Sequence, residues 1–215
     1  LYFGDGAGGF QDLSATVGVQ TRNWASASVP QLNNAEGNSW SWGATACDLD
    51  GNGVPELLSP SYGRAPNHLW LGSETASSIA YINHSVASGY AYDPISDWSD
   101  NESARCWCQL NPGDAGCGPQ VPQPRINCQQ NSDAFRWRHA TDRERWRLGG
   151  NSGGTVCGDV DNDGRLDLLT SEIVHWDVGR NSDEAELLFN TGESPLRFDR
   201  PDNQETGLAR RKPQG

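Results

Sequence analysis

Two stretches of this 215-residue sequence place oxygen donors at alternate positions of a short loop. In "ACDLDGNGVPELLSP", Asp48, Asp50, Asn52 and Glu56 stand at places one, three, five and nine, and Val54 at place seven offers a main-chain carbonyl. In "CGDVDNDGRLDLLTS", Asp159, Asp161, Asp163 and Asp167 take the same places, with the carbonyl of Arg165 at seven. Alternate residues of such a loop point inward, and Gly53 or Gly164 at place six permits the sharp turn that wraps them around an ion. Oxygen ligands without His or Cys select a hard cation, and a flexible multi-oxygen set favours calcium over magnesium. Two Ca2+ sites are therefore expected. An EF-hand would need a bidentate Glu at place twelve and flanking helices; Ser59 and Thr170 stand there, in or just after apolar strand residues, so the loops are not EF-hands.

The second chemical signal is sulfur. Cys106, Cys108, Cys117 and Cys128 crowd into "CWCQLNPGDAGCGPQVPQPRINC" without the paired C-x-x-C spacing of a zinc knuckle, so disulfides are expected in an oxidising compartment. Cys106 and Cys108 are too close in sequence to bond each other without strain, and each should reach to Cys117 or Cys128. Cys47 and Cys157 lie on the strands entering the two acidic loops, one position out of register; they either bridge neighbouring units or serve as two small buried hydrophobes.

Catalytic residues have little to stand on. His68, His84, His139 and His175 are scattered, and no G-x-S-x-G, H-E-x-x-H or phosphate-binding loop occurs. His68 and His175 each follow an acidic loop, but hydrogen-bonded strand or loop residues are their expected role. An acid pair for glycoside hydrolysis stays open in so acidic a chain, yet every clustered carboxylate is already assigned to one of the two loops. Nine tryptophans are many; packing between sheets is expected for most, and "NSWSWG" around Trp40 and Trp42 alternates as a strand with one face in the core would. Asn83 and Asn101 fit the N-glycosylation acceptor pattern.

The elements that hold these residues repeat. "LYFGDGAGGFQDLS", "HLWLGSETASS" and "ELLFNTGESPLRFDR" each run an apolar-aromatic strand into a Gly-containing turn, read as hairpins, and each is followed by a small-residue stretch ending at Gly18, Gly89 or Gly207. The order is hairpin, acidic loop, hairpin, acidic loop, hairpin. From Gly18 to Gly43 is 25 positions, whereas the matching step from Gly89 to Gly154 is 65, so about 40 residues are inserted between Tyr90 and Arg147. The chain divides into repeats at 1–89, a cysteine- and tryptophan-rich, disulfide-pinned insert at 90–147, and a further repeat with a C-terminal tail at 148–215. Short strands and Gly/Asn/Asp turns predict an all-β fold, with only "ATDRERWRLGG" from Ala140 able to form one or two helical turns.

Aspartate loop, apolar strand and "LYFGDGAGGF" hairpin together resemble the FG-GAP or VCBS repeat family, the calcium-loop repeats of integrin-alpha-type β-propellers. The resemblance spans roughly residues 1–89 and 149–208. It implies propeller blades of four strands with the ion in a loop linking two of them, and a role in binding, adhesion or scaffolding; a minority of such proteins are enzymes. Only two loops and three hairpins describe two to three blades, an incomplete propeller with exposed edges. Either a longer polypeptide or a protein partner, another copy included, is expected to complete it.

Sixteen basic against 28 acidic residues give a net charge of −12, which disfavours nucleic acid and anionic membrane surfaces as partners. No stretch is long and apolar enough for a membrane helix. The chain begins at Leu1 and has no Met, the reading of a mature fragment. The sequence thus predicts a calcium-stabilised binding or assembly module, non-catalytic, secreted or at a cell surface or in a periplasm. The alternatives are a polysaccharide-acting enzyme or its carbohydrate-binding accessory domain, and a structural subunit of a surface complex or filament.

Overall fold

A computed structural model describes residues 1–23, 37–38, 40–76, 78–128 and 137–209. The described chain is mostly β, in separate antiparallel sheets none of which closes into a barrel. It opens with β1 (Tyr2–Gly4) and β2 (Phe10–Asp12), an antiparallel hairpin, then a short helix α1 (Ser14–Val17) capped by Gly18 in the left-handed region, φ 91°. Residue pairs β3 (Arg22–Asn23) and β4 (Gly37–Asn38) lie parallel. The first four-stranded sheet runs β5 (Thr45–Cys47), β6 (Glu56–Ser59), β7 (His68–Glu74), β8 (Ile79–Asn83) in sequential order. The second repeats it as β9 (Ser152–Gly158), β10 (Asp167–Glu172), β11 (Glu186–Asn190), β12 (Phe198–Asp199), followed by α3 (Asn203–Thr206).

The two sheets share one register. Leu57 pairs with Trp70 and Leu58 with Leu69 in the first; Leu168 pairs with Leu188 and Leu169 with Leu187 in the second. Alternation along strands gives each sheet two faces. Leu58, Leu69 and Cys47 of the first sheet pack against Leu168, Leu188, Cys157 and Phe198 of the second, closing one apolar core with Leu49, Tyr90 and Leu196. Leu168 corresponds in register to Leu57, not to Leu58. The front of one sheet therefore meets the back of the next, as repeats stacked in one direction must.

Cys47 and Cys157 form a disulfide across that interface, from β5 to β9, with Cα atoms 6.6 Å apart. Their one-residue offset in register is what puts one sulfur on a front face and the other on a back face. The Thr45 hydroxyl donates to the Thr155 carbonyl at 2.5 Å beside it, and the Tyr90 hydroxyl meets Thr155 Oγ1 at 2.6 Å below.

The insert differs from expectation. Residues Glu102–Leu110 form a helix, α2, not expected from the sequence, although Ala104, Trp107, Cys108 and Leu110 share one side at helical spacing. The Asn101 side chain caps its start, accepting from Ser103 N (2.9 Å) and Ala104 N (3.3 Å). On a helix, residues two apart diverge, which is how Cys106 reaches Cys128 while Cys108 reaches Cys117. The Ala140 segment supplies turns and one 3-10 turn, Arg145–Arg147, and no α-helix. A second small core gathers Ala104, Trp137 and Leu148, with Trp98 and Trp107 at its margin. Trp98, Trp107, Trp137 and Trp146 thus serve the insert, and leucines fill the space between sheets. Trp40 and Trp42 are exposed, at 80% and 69%; Trp40 joins the fold by one bridge to Tyr62, so neither belongs to a buried strand face.

Candidate metal centres

Each acidic loop joins the first two strands of its sheet, β5 to β6 and β9 to β10. The two backbones match position for position: Gly51 (φ 74°) and Asn162 (φ 61°) share one left-handed place, Gly53 (φ 86°) and Gly164 (φ 88°) the other. Asparagine tolerates that region better than other side chains, so the second loop keeps the turn without glycine.

The ninth place anchors each loop. Glu56 is fully buried; its two oxygens accept from Leu49 N at 2.7 Å and, across to β7, from Gly72 N at 3.2 Å. Asp167, equally buried, accepts from Val160 N and, across to β11, from Asn190 N, both at 2.9 Å. One carboxylate therefore staples the loop's beginning to the third strand in both repeats. Burial pushes the Glu56 carboxyl above its usual range, against the pull of those amides.

The other donors turn inward on the loop. Asp48 Oδ2 accepts from Gly53 N (3.1 Å), while its Oδ1 is buried without a hydrogen-bond partner. Asp50 accepts from Asn52 N, and Asn52 Oδ1 from Val54 N. Asp159 accepts from Asp163 N and Gly164 N, and Asp161 from Asp163 N. Ligand atoms of Asp48, Asp50 and Glu56 lie within 4.8 Å of one another, and so do those of Asp159, Asp161 and Asp167. At the seventh place Val54 is buried. Arg165 reaches Asn190 O (2.9 Å) and ion-pairs with Asp163, which leaves Asp163 outside the second trio. The first loop opens on a cleft of about 650 Å³ bounded across from it by Arg165, Leu166 and Asn190. Three carboxylates this close repel unless protonated or neutralised, and an oxygen-only donor set with an orphaned oxygen fits a hard cation.

The insert's sulfurs make no metal site. Cys108, Cys117 and His139 come within ligating distance of one another, but both sulfurs are spent in a disulfide. Trp137 Nε1 donates to His139 Nδ1 at 3.0 Å, so the remaining ring proton lies on Nε2, 3.9 Å from Cys117 Sγ.

The remaining histidines have structural partners. His68 is buried and stacks on Trp70 (5.1 Å, 9°), and His84 Nε2 meets the Leu196 carbonyl at 2.8 Å. His175 forms a chain missed in the sequence: Tyr62 Oη lies 2.8 Å from its Nε2, and Asp177 Oδ1 3.6 Å from its Nδ1. Tyr62 is distant in sequence and gave no signal. A second carboxylate group was also missed, since its members are spread along the chain and not confined to the loops. Asp93, Glu172 and Glu186 gather about Arg200, which pairs with Glu186, and the buried Asp183 lies against the same three carboxylates. Burial and mutual repulsion raise all four, Glu172 to about 8. Asn101 is wholly buried with its amide donating to Leu148 O (3.2 Å), which denies a glycan access in the folded state; Asn83 is half-buried.

Compared with protein-family models, with curated proteins and with solved structures, the chain matches none.

Proposed function

We propose that the chain is a calcium-stabilised extracellular module for binding or assembly, built from FG-GAP/VCBS-like propeller blades. The observation that carries this reading is the duplication of one loop geometry: two nine-residue loops at the same place in two sheets, each converging three carboxylates, with the buried Asp48 Oδ1 lacking any protein partner in the first. A cation in each loop neutralises that charge and locks the entrance to the second strand, so its role is to stiffen the scaffold. Three disulfides and the lack, among described residues, of a helix long and apolar enough to cross a membrane support an oxidising, aqueous location. Titration with calcium followed by elemental analysis tests the reading. Two ions per chain and a higher melting temperature are expected; an identical melting curve in excess chelator, with no bound metal, overturns it.

A second reading, carbohydrate binding, is favoured by a ledge of rings. Trp42 meets Tyr62 edge-on (5.7 Å, 73°), and Tyr62 meets His175 (5.4 Å), so an exposed indole adjoins the Tyr62–His175 hydrogen bond, with Asp177 Oδ1 3.6 Å beyond it. Quenching of tryptophan fluorescence by neutral oligosaccharides, lost in Trp42→Ala, is its test.

A further inference from the structure

Three copies of one packing device occur among the described residues, and two of them are seated against a neighbouring sheet there. In each, a helical turn ends on a glycine in the left-handed region: Gly18 after α1, Gly89 after the first sheet and Gly207 after α3, with φ of 91°, 85° and 78°. Each turn belongs with the strand pair before it and is aimed at the next sheet. A Cβ on Gly18 would lie 2.3 Å from the Tyr81 carbonyl oxygen of β8, and one on Gly89 would lie 3.2 Å from the Phe198 carbonyl oxygen of β12. Ser88 O in the second turn accepts from Phe198 N at 2.8 Å. A Cβ on Gly207 meets nothing within 4 Å among the described residues.

The aromatic residue that receives the device also occurs three times. Phe10, Tyr81 and Phe198 pair with Gly4, Gly72 and Asn190, equivalent positions of β1, β7 and β11. Tyr81 and Phe198 are 7% and 5% exposed beneath the preceding unit, whereas Phe10 is 74% exposed, beside an exposed Tyr2 on the same face. At the other end, Leu58 on the front of the first sheet is 1% exposed, and its equivalent Leu169 on the front of the second is 37% exposed, near an exposed Val156. Among the described residues, the second sheet thus presents an exposed front with a free glycine device, and the β1–β2 hairpin an exposed back bearing Tyr2 and Phe10.

We infer that these two surfaces are halves of one head-to-tail interface, in which the second sheet and Gly207 of one copy of this chain cover the Tyr2 and Phe10 face of another. The interface continues contacts the chain already makes within itself: front upon back between the two four-stranded sheets, and glycine against a fourth-strand carbonyl at both Gly18 and Gly89. The first sheet's own back cannot serve as the receptor, because Gly18 and the buried Val17 already occupy it. Such contacts are heterologous and close into a ring or extend as a filament according to the rotation they impose. This inference rests on the assembly reading above and names its partner and its face.

Sedimentation of the calcium-loaded chain tests it with two surface variants, Phe10→Glu and Leu169→Glu, each checked for an unchanged melting temperature. The native chain should show concentration-dependent species heavier than 23.4 kDa. Each variant alone should associate at least roughly thirtyfold more weakly, as loss of a central interface anchor does. Mixed in equal amounts, the two variants should form a dimer that grows no further, since one keeps its front and the other its back. A native chain that sediments at 23.4 kDa up to millimolar concentration, or a variant mixture that stays monomeric, overturns the inference. If calcium still raises the melting temperature in that case, the module reading survives; if calcium has no effect while the mixture dimerises, the interface stands and the calcium reading falls.

Discussion

Cys47→Ala with Cys157→Ala should be the most costly of the three disulfide removals. The bridge joins residues 110 apart, against 22 for Cys106–Cys128 and 9 for Cys108–Cys117. Loop-closure entropy then assigns about 4.8, about 3.4 and about 2.7 kcal/mol to the three in that order. The two inner bridges lie within the outer loop and shorten it, but the dependence is logarithmic and lowers the first figure by only about 0.2 kcal/mol. Packing reinforces the order, because Cys47 and Cys157 adjoin the apolar core between sheets, where alanine leaves a small void. Domains of this size are stable by about 5–15 kcal/mol, so the loss would consume a large part of the margin. Equilibrium unfolding in urea, followed by tryptophan fluorescence in saturating calcium without reductant, measures all three double variants on one scale. A variant lacking Cys108–Cys117 that is destabilised as much as the one lacking Cys47–Cys157 would refute the reasoning, and would place the stability in the native insert instead of in the unfolded chain.

Glu56→Ala strands two buried amides, Leu49 N and Gly72 N, and should lower stability by about 3 kcal/mol even in chelator, whereas Asp50→Ala should cost little there and weaken calcium binding; calorimetry separates the two effects. Glu172, held neutral to about pH 8 in the fold but ionised above about pH 4.5 when unfolded, binds more protons folded than unfolded, so stability should fall as pH rises through that window by up to about 1.4 kcal/mol per unit. Glu172→Gln should therefore flatten the fall between pH 5 and 8 in urea midpoints, and an unchanged slope refutes the assignment. Asn101→Ala removes the α2 cap and the bond to Leu148 O, for a loss of about 2 kcal/mol and faster amide exchange at Ser103 and Ala104.

The acidic loops and the hairpins were legible because their signal is local: alternating donors, a glycine where the turn requires one, and strands of period two. In the structure the repeat shows as matched pairing, Leu57 with Trp70 and Leu168 with Leu188. The helix α2 was missed because its apolar side, Ala104, Trp107, Cys108 and Leu110, spans little more than two turns and the cysteines drew the reading toward disulfides, while the Asn101 cap that starts it went unread. The tryptophans misled for a related reason. An indole reports burial only after its surroundings are known, and among the described residues Trp40 and Trp42 meet the fold through one isolated bridge, to Tyr62, and stay exposed. The anchoring role of Glu56 and Asp167 was hidden too, because their partners, Gly72 and Asn190, lie on another strand.

The bond between Cys47 and Cys157 also fixes how the molecule bears force. Tension applied at residues 1 and 209 passes along the first 47 residues, through the sulfur pair, and out along β9 and its successors. Residues 48–156, with the first acidic loop, three strands of the first sheet and the whole insert, hang beside that path and carry no load. The same closure means that a protease cutting anywhere between those cysteines opens a ring without parting the molecule. The insert can therefore be varied, lengthened or nicked while the two sheets remain one covalent unit.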